Sequence, residues 1–160
     1  MKKAIRLVLV SILVFLTSVS IANGTVAAGG SQLAGWANRI QITIDHTKID
    51  ANLNHFPILV HLSTSSSLNK SDVSDVFNKL TSDANRKKIA VTTSDGVTQC
   101  YVEISYWSTA SKQAALWVNV PSVSSTVDTV LYLYYDNTQS DNTAYVGDTG
   151  STPAQNVWDS

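Results

Sequence analysis

Apolar and polar residues alternate with a period of two at several places along this chain, and helical spacing occurs at one. The cleanest alternation is Arg39-Ile-Gln-Ile-Thr-Ile-Asp45. Ile40, Ile42 and Ile44 share one face, and Arg39, Gln41 and Thr43 the other, as in a half-buried strand. Two further runs lie within Ala114 to Asn137. Ala115-Leu-Trp-Val-Asn-Val120 places Leu116, Val118 and Val120 opposite Ala115, Trp117 and Asn119, and Pro121 is expected to end it. Thr129-Val-Leu-Tyr-Leu-Tyr-Tyr135 sets Val130, Tyr132 and Tyr134 against Leu131, Leu133 and Tyr135. Neither strand has a purely polar face, so both are expected at the centre of a sheet with an aromatic face covered by another layer. The Ser/Thr-rich stretch Pro121 to Asp128 between them is long enough to cross from one sheet to another.

Phe56-Pro57 leads into the strand Ile58-Leu-Val-His-Leu62, with proline at a strand's start. Lys88-Ile-Ala-Val-Thr-Thr93 is another strand, Ser94-Asp95-Gly96 a tight hairpin turn, and Gln99 to Trp107 the strand after it. Helical spacing appears once, at Val73, Val76, Phe77 and Leu80, with Ser71 as N-cap and Asp72 and Asp75 in the first turn. A single helix of about two to three turns over residues 72–80 follows. The fold class is all-β: an antiparallel β-sandwich, jelly-roll-like, with that one short helix. An open sheet capped by the helix is the alternative.

The N-terminus has a different character. Lys2, Lys3 and Arg6 precede an apolar run from Leu7 to Leu16, and small residues follow through Ala28. This is the layout of a cleavable signal peptide, residues 1–28, helical in its apolar part, with cleavage sites suited after Ala22 or Ala28. Residues 29–35 are read as a linker, 36–137 as the domain, and 138–160 as a linker with the start of a truncated further module; the alternative is that Val157 and Trp158 pack back on the sandwich. Three of the 11 Lys+Arg fall in the leader, leaving 8 against 12 Asp+Glu and a mature charge near −4. A mildly acidic surface argues against nucleic acid and anionic membranes as partners, so membrane contact comes only through an uncleaved leader. The basic cluster Arg86-Lys87-Lys88 is read as a solvated edge. Cys100 is the only cysteine, so an exported chain must rely on its core rather than on a disulfide. Its place in an apolar strand makes it a buried, inert thiol.

Little here carries chemistry. Glu103 is the only glutamate, on a strand face read as shared with Tyr101, Ser105 and Trp107. A carboxylate flanked by rings suits sugar binding, because rings stack on C–H faces while the carboxylate accepts hydroxyl hydrogen bonds. The competing reading is a structural acid beside packing aromatics. Glycoside hydrolysis needs a second carboxylate at a set distance, and the sequence pairs none of Asp45, Asp95, Asp128 or Asp136 with Glu103. His46, His55 and His61 lack zinc-motif spacing, with His61 read as partly buried. Asp136 to Asn142 lacks the glycine and terminal glutamate of a calcium loop and reads as a turn. No cofactor, metal or catalytic residue is expected.

Six motifs in order carry a family resemblance: Trp36…Arg39-Ile-Gln-Ile-Thr-Ile, Phe56-Pro-Ile-Leu-Val, Ile89-Ala-Val-Thr-Thr-Ser-Asp-Gly96, Tyr101-Val-Glu-Ile-x-x-Trp107, Ala115-Leu-Trp-Val-Asn-Val-Pro121 and Leu131-Tyr-Leu-Tyr-Tyr-Asp136. Together they resemble the domain of unknown function 2341, from about Trp36 to Asn137. The resemblance implies an exported β-domain that often precedes a concanavalin-A-like, laminin-G-type module, and Asn156-Val-Trp-Asp-Ser160 resembles the approach to one. It implies no catalytic residue. The family often ends in Tyr-Tyr-Gly-Asn; here the residues are Tyr134-Tyr-Asp-Asn137, so a slightly different turn is expected.

The function expected is a non-catalytic extracellular module of a secreted or cell-surface protein. Its partner would be a glycan, through Tyr101, Glu103 and Trp107, or another surface protein. Two alternatives stand beside it: an accessory domain of a carbohydrate-active enzyme, and a structural subunit assembling through strand edges.

Overall fold

The computed structural model describes residues 14–17, 32–66 and 70–158, the first group as backbone only. The leader and linker expectations fall outside these residues except at two places. Gln32 to Gly35 are described as loop and turn, and the backbone of Val14–Thr17 is an extended strand, β1, rather than helix. β1 lies antiparallel against the next strand, from Val14 opposite Ile44 to Thr17 opposite Gln41.

The other strands are β2 (Asn38–Ile44), β3 (Leu53–Leu62), β4 (Ile89–Thr93), β5 (Gln99–Cys100), β6 (Val102–Ser108), β7 (Gln113–Val123), β8 (Thr129–Tyr135) and β9 (Val146–Asp148). They form two sheets, in the orders β1-β2-β8-β4-β5 and β3-β7-β6-β9. The sandwich-like, mostly antiparallel class is as read; one ladder, β6 with β9, is parallel. The long Ser/Thr loop does cross between sheets, since β7 and β8 sit at interior positions of different sheets.

Alternation decides which faces meet. Ile40, Ile42 and Ile44 of β2 and Leu131, Leu133 and Tyr135 of β8 turn inward from one sheet. Ile58, Val60 and Leu62 of β3 and Leu116, Val118 and Val120 of β7 turn inward from the other. Cys100 is buried among them, and loss of water around it pushes its thiol up to about 12, which leaves it protonated at neutral pH. Tyr134 faces outward yet is also buried. Its hydroxyl donates to Gly96 O (3.1 Å) and accepts from Leu33 N and Arg39 Nη1 (both 3.3 Å). The 33–37 segment therefore covers that aromatic face.

Several boundaries differ from the sequence reading. Pro57 lies inside β3 and Pro121 inside β7. Asn119 N donates across to Tyr101 O (3.0 Å), so Asn119 and its opposite number Pro57 form a non-hydrogen-bonded pair. The N–H that Pro57 lacks would have pointed off the open edge of β3. Pro121, two residues beyond Asn119, faces the β6 side, where the paired register stops at Val118.

The helix is also shorter than expected: α1 spans Asp75–Leu80, with Ser74 at its N-cap. Ser71 is not the cap, because backbone bonds tie it to Ser66 in both directions and tie Val73 N to Ser63 O, holding this stretch extended. The predicted apolar side chains Val73, Val76, Phe77 and Leu80 are all buried. It is not the only helix, since α2 follows at Thr152–Gln155. At the end of β8, Asp136 is not among the positive-φ residues. The position therefore does not need glycine, and the Asp136 carboxylate accepts from Ala37 N (3.1 Å) and Thr138 N (2.9 Å).

Candidate binding face

The run Gln99 to Trp107 is two strands. β5 belongs to the first sheet and β6 to the second, and the chain changes sheet at Tyr101. A bulge then interrupts β6. Glu103 lies opposite Trp117 and Ile104 opposite Leu116, but Tyr106 lies opposite Ala115 and Trp107 opposite Ala114. Ser105 is the extra residue, and its hydroxyl donates to Ala115 O (3.0 Å). One added residue inverts all later side chains. Trp107 therefore turns toward the interior, packing against Phe77 with ring centroids 5.1 Å apart. Glu103 faces outward with Trp117. The three residues read as one platform are thus not together: Tyr101 and Glu103 flank Val102, while Trp107 is on the opposite face.

What lies on the outer face is the C-terminal segment. Residues 138–160 were expected to leave the domain, but Val146 to Asp148 add a parallel strand to β6, and Val146, Ala154 and Val157 are buried. From Thr149 to Trp158 the chain forms a strap over β6 and β7. Glu103 anchors it: one carboxylate oxygen accepts from Thr149 Oγ1 (2.5 Å) and the other from Trp158 Nε1 (2.5 Å). Asn119 Nδ2 donates to Asn156 O (3.2 Å) and Val157 O (3.3 Å). Both are buried polar groups, and each is satisfied by the strap.

Where the strap ends, an apolar patch remains open. Trp158 packs against Trp117 with centroids 5.1 Å apart and planes tilted by 57°. Leu59 of β3 is the cross-strand neighbour of Trp117. Trp158 is 49% and Leu59 44% exposed. Tyr101, at the junction of β5 and β6, pairs with Tyr145, just before β9, at 5.5 Å. Sequence reasoning missed Trp117 and Trp158. Trp117 had a signal in its place on the non-core face of an apolar strand; for Trp158 the alternative that it packs back on the sandwich with Val157 is the one the structure shows.

The basic cluster fastens the base of the strap. Arg86 grips Asp148 with two bonds (2.7 and 2.8 Å), and Lys87 Nζ adds a third contact at 2.9 Å. The Arg86 guanidinium holds the Asp148 carboxyl down at about 2, against an ordinary 3.8. A carboxylate with a depressed folded-state pKa contributes stability that is complete above its unfolded value. That contribution is lost as pH falls from about 4 towards 2. Asp148 is 39% exposed, so solvent screening limits it to under about 1 kcal/mol. Thermal melts from pH 6 to pH 2 are expected to show the decline, and Asp148→Asn to flatten part of it. An identical acid profile for the variant would contradict this assignment.

His61, like His55, is exposed rather than partly buried. Among the described residues no helix is long and apolar enough to cross a membrane.

The architecture is that of a two-sheet β-domain closed on one outer face by its own C-terminal strap. Residues 85–156 match the family described as a domain of unknown function (DUF2341). The match takes in four of the six motifs and most of the strap; those at Trp36 and Phe56 precede it. No curated protein and no solved structure matches the chain.

Proposed function

We propose that this is a non-catalytic recognition module of an exported protein, and that it binds a glycan on the patch formed by Trp117, Trp158 and Leu59. One observation carries the reading. Trp158 and Leu59 stand half-open to water on either side of the partly buried Trp117, so that the three form one apolar group on the outer face. Isolated exposed apolar residues need no explanation, but a contiguous aromatic group beside polar anchors is the usual form of a binding surface. Sugar C–H faces stack on indole rings. Glu103 has both oxygens committed to the strap, a positioning role for Trp158 rather than proton transfer. The basic segment and apolar run before Leu16 support export. Assembly through strand edges is weakened at β3, where Pro57 removes one of the donors along that edge.

Retention on polysaccharide affinity gels and glycan arrays tests the proposal. Trp158→Ala is expected to weaken retention by about tenfold or more, a typical loss for an aromatic anchor. Leu59→Ser, which leaves the strap untouched, should weaken it in the same direction. Trp107→Ala should lower stability and leave affinity alone. The proposal fails if the unaltered chain is retained by no polysaccharide, or if Trp158→Ala and Leu59→Ser are both retained like it.

A further inference from the structure

We infer that Asp45, His46 and Asp128, at the far end of the other sheet, form a binding site for a first-row divalent cation of the zinc or manganese type. The ladder of β2 with β8 ends at Ile44 opposite Thr129. The next residues on each side, Asp45 and Asp128, are therefore brought together by the sheet register, and His46 follows at the start of a 3-10 turn (His46–Lys48). Each of the three offers one ligand atom, and these atoms lie within 4.8 Å of one another.

The donor set favours such a cation for three reasons. Two carboxylates and an imidazole form a mixed oxygen and nitrogen set, which suits manganese and zinc better than the all-oxygen preference of calcium or magnesium. The two carboxylates converge from adjacent strand ends and repel one another, with Lys48 close to Asp45, so a divalent ion relieves the repulsion between them. The two segments are also already fixed. Asp45 Oδ1 accepts from Thr47 N (2.9 Å), and Asp128 Oδ1 accepts from His46 N (3.1 Å). Each of these carboxylates keeps a second oxygen for a ligand bond. His46 Nδ1 now lies 2.6 Å from Asp128 Oδ1. A cation with bonds of about 2.1 Å needs donors about 3 Å apart. The pair must open by a few tenths of an ångström, which side chains this exposed allow. His46 is 37% and Asp128 49% exposed, so the remaining coordination positions face water.

This site is independent of the glycan reading. Cobalt(II) titration of the untagged full chain, followed by its visible absorption, tests it alongside equilibrium dialysis with zinc and manganese. One equivalent is expected to bind saturably, and a large excess of magnesium should not displace it. His46→Gln and Asp128→Asn are each expected to weaken binding at least about tenfold, while His55→Gln, which alters a histidine outside the cluster, leaves it unchanged. Circular dichroism shows whether each variant has folded. Absence of saturable binding, or binding that survives both His46→Gln and Asp128→Asn, overturns the assignment.

Discussion

Replacing Phe77 with alanine is expected to remove about 3–5 kcal/mol of unfolding free energy. A domain of this size has about two to three times that in total. The size of the effect follows from where the ring sits. α1 has six residues, too few to be helical alone in water, so its stability comes from the side chains it inserts. Val76, Phe77 and Leu80 are all fully buried. Phe77 is the largest of them and meets Trp107 at 5.1 Å. Alanine leaves a cavity between α1 and β6 that rigid strands cannot collapse to fill. Urea denaturation with unchanged m-value and a reduced midpoint is the expected result. Tryptophan emission should change as well, because Trp107 loses its ring partner. A loss below about 1 kcal/mol would mean that α1 is a lid rather than part of the core.

The same contact explains what the sequence could and could not tell. Phe77 was legible because helical spacing set it on one face with Val73, Val76 and Leu80. The isoleucines of β2 and the leucines of β8 were legible for the same reason at period two. Trp107 was not. From Gln99 to Trp107 both alternating rows contain large or apolar residues, so the pattern survives a one-residue offset without visible change. The sheet crossing at Tyr101 and the bulge at Ser105 are such offsets. The two prolines misled in a different way. Pro57 and Pro121 were read by a local rule that places proline at strand ends, whereas the sheet tolerates each wherever its missing N–H faces no partner strand.

The strap was legible only as the alternative that Val157 and Trp158 pack back, for a third reason. Val146, Ala154 and Val157 are buried, but their spacing follows no period. The residues between them are small and polar, which is the composition of a linker. What marks the segment as part of the domain is polar: Glu103 and Asn119, each on β6 or β7, spend their hydrogen bonds on it. Glu103 was singled out correctly as unusual. Its carboxylate faces outward through the alternation of β6, and the strap supplies the partners that the sequence did not show.

Gly147 is where the strap presses closest, and Gly147→Ala is expected to cost about 3 kcal/mol. The glycine is not needed for its backbone angle, since it is absent from the positive-φ residues. It is needed for space. A Cβ there would overlap Ser151 Oγ outright and stand 2.8 Å from Pro153 Cγ and 3.1 Å from Ser151 Cβ. Turning the Ser151 hydroxyl relieves only the first of these. Its oxygen is buried and has no hydrogen-bond partner among the described atoms, so that rotation itself loses nothing. The other two contacts are set by the backbone of Ser151 and the Pro153 ring, so the strap must lift from β9. Lifting it strains the bonds from Trp158 and Thr149 to Glu103 and uncovers Val157. The variant should therefore combine a lower urea midpoint with altered Trp158 emission, and its affinity for any glycan held by Trp117 and Trp158 should fall with it. Ser151→Gly in the same chain removes two of the three overlaps and is expected to recover part of the loss, a coupling that a double-mutant cycle measures directly. If Gly147→Ala melts like the unaltered chain, the strap is not seated on β9, and the aromatic patch loses the support that positions it.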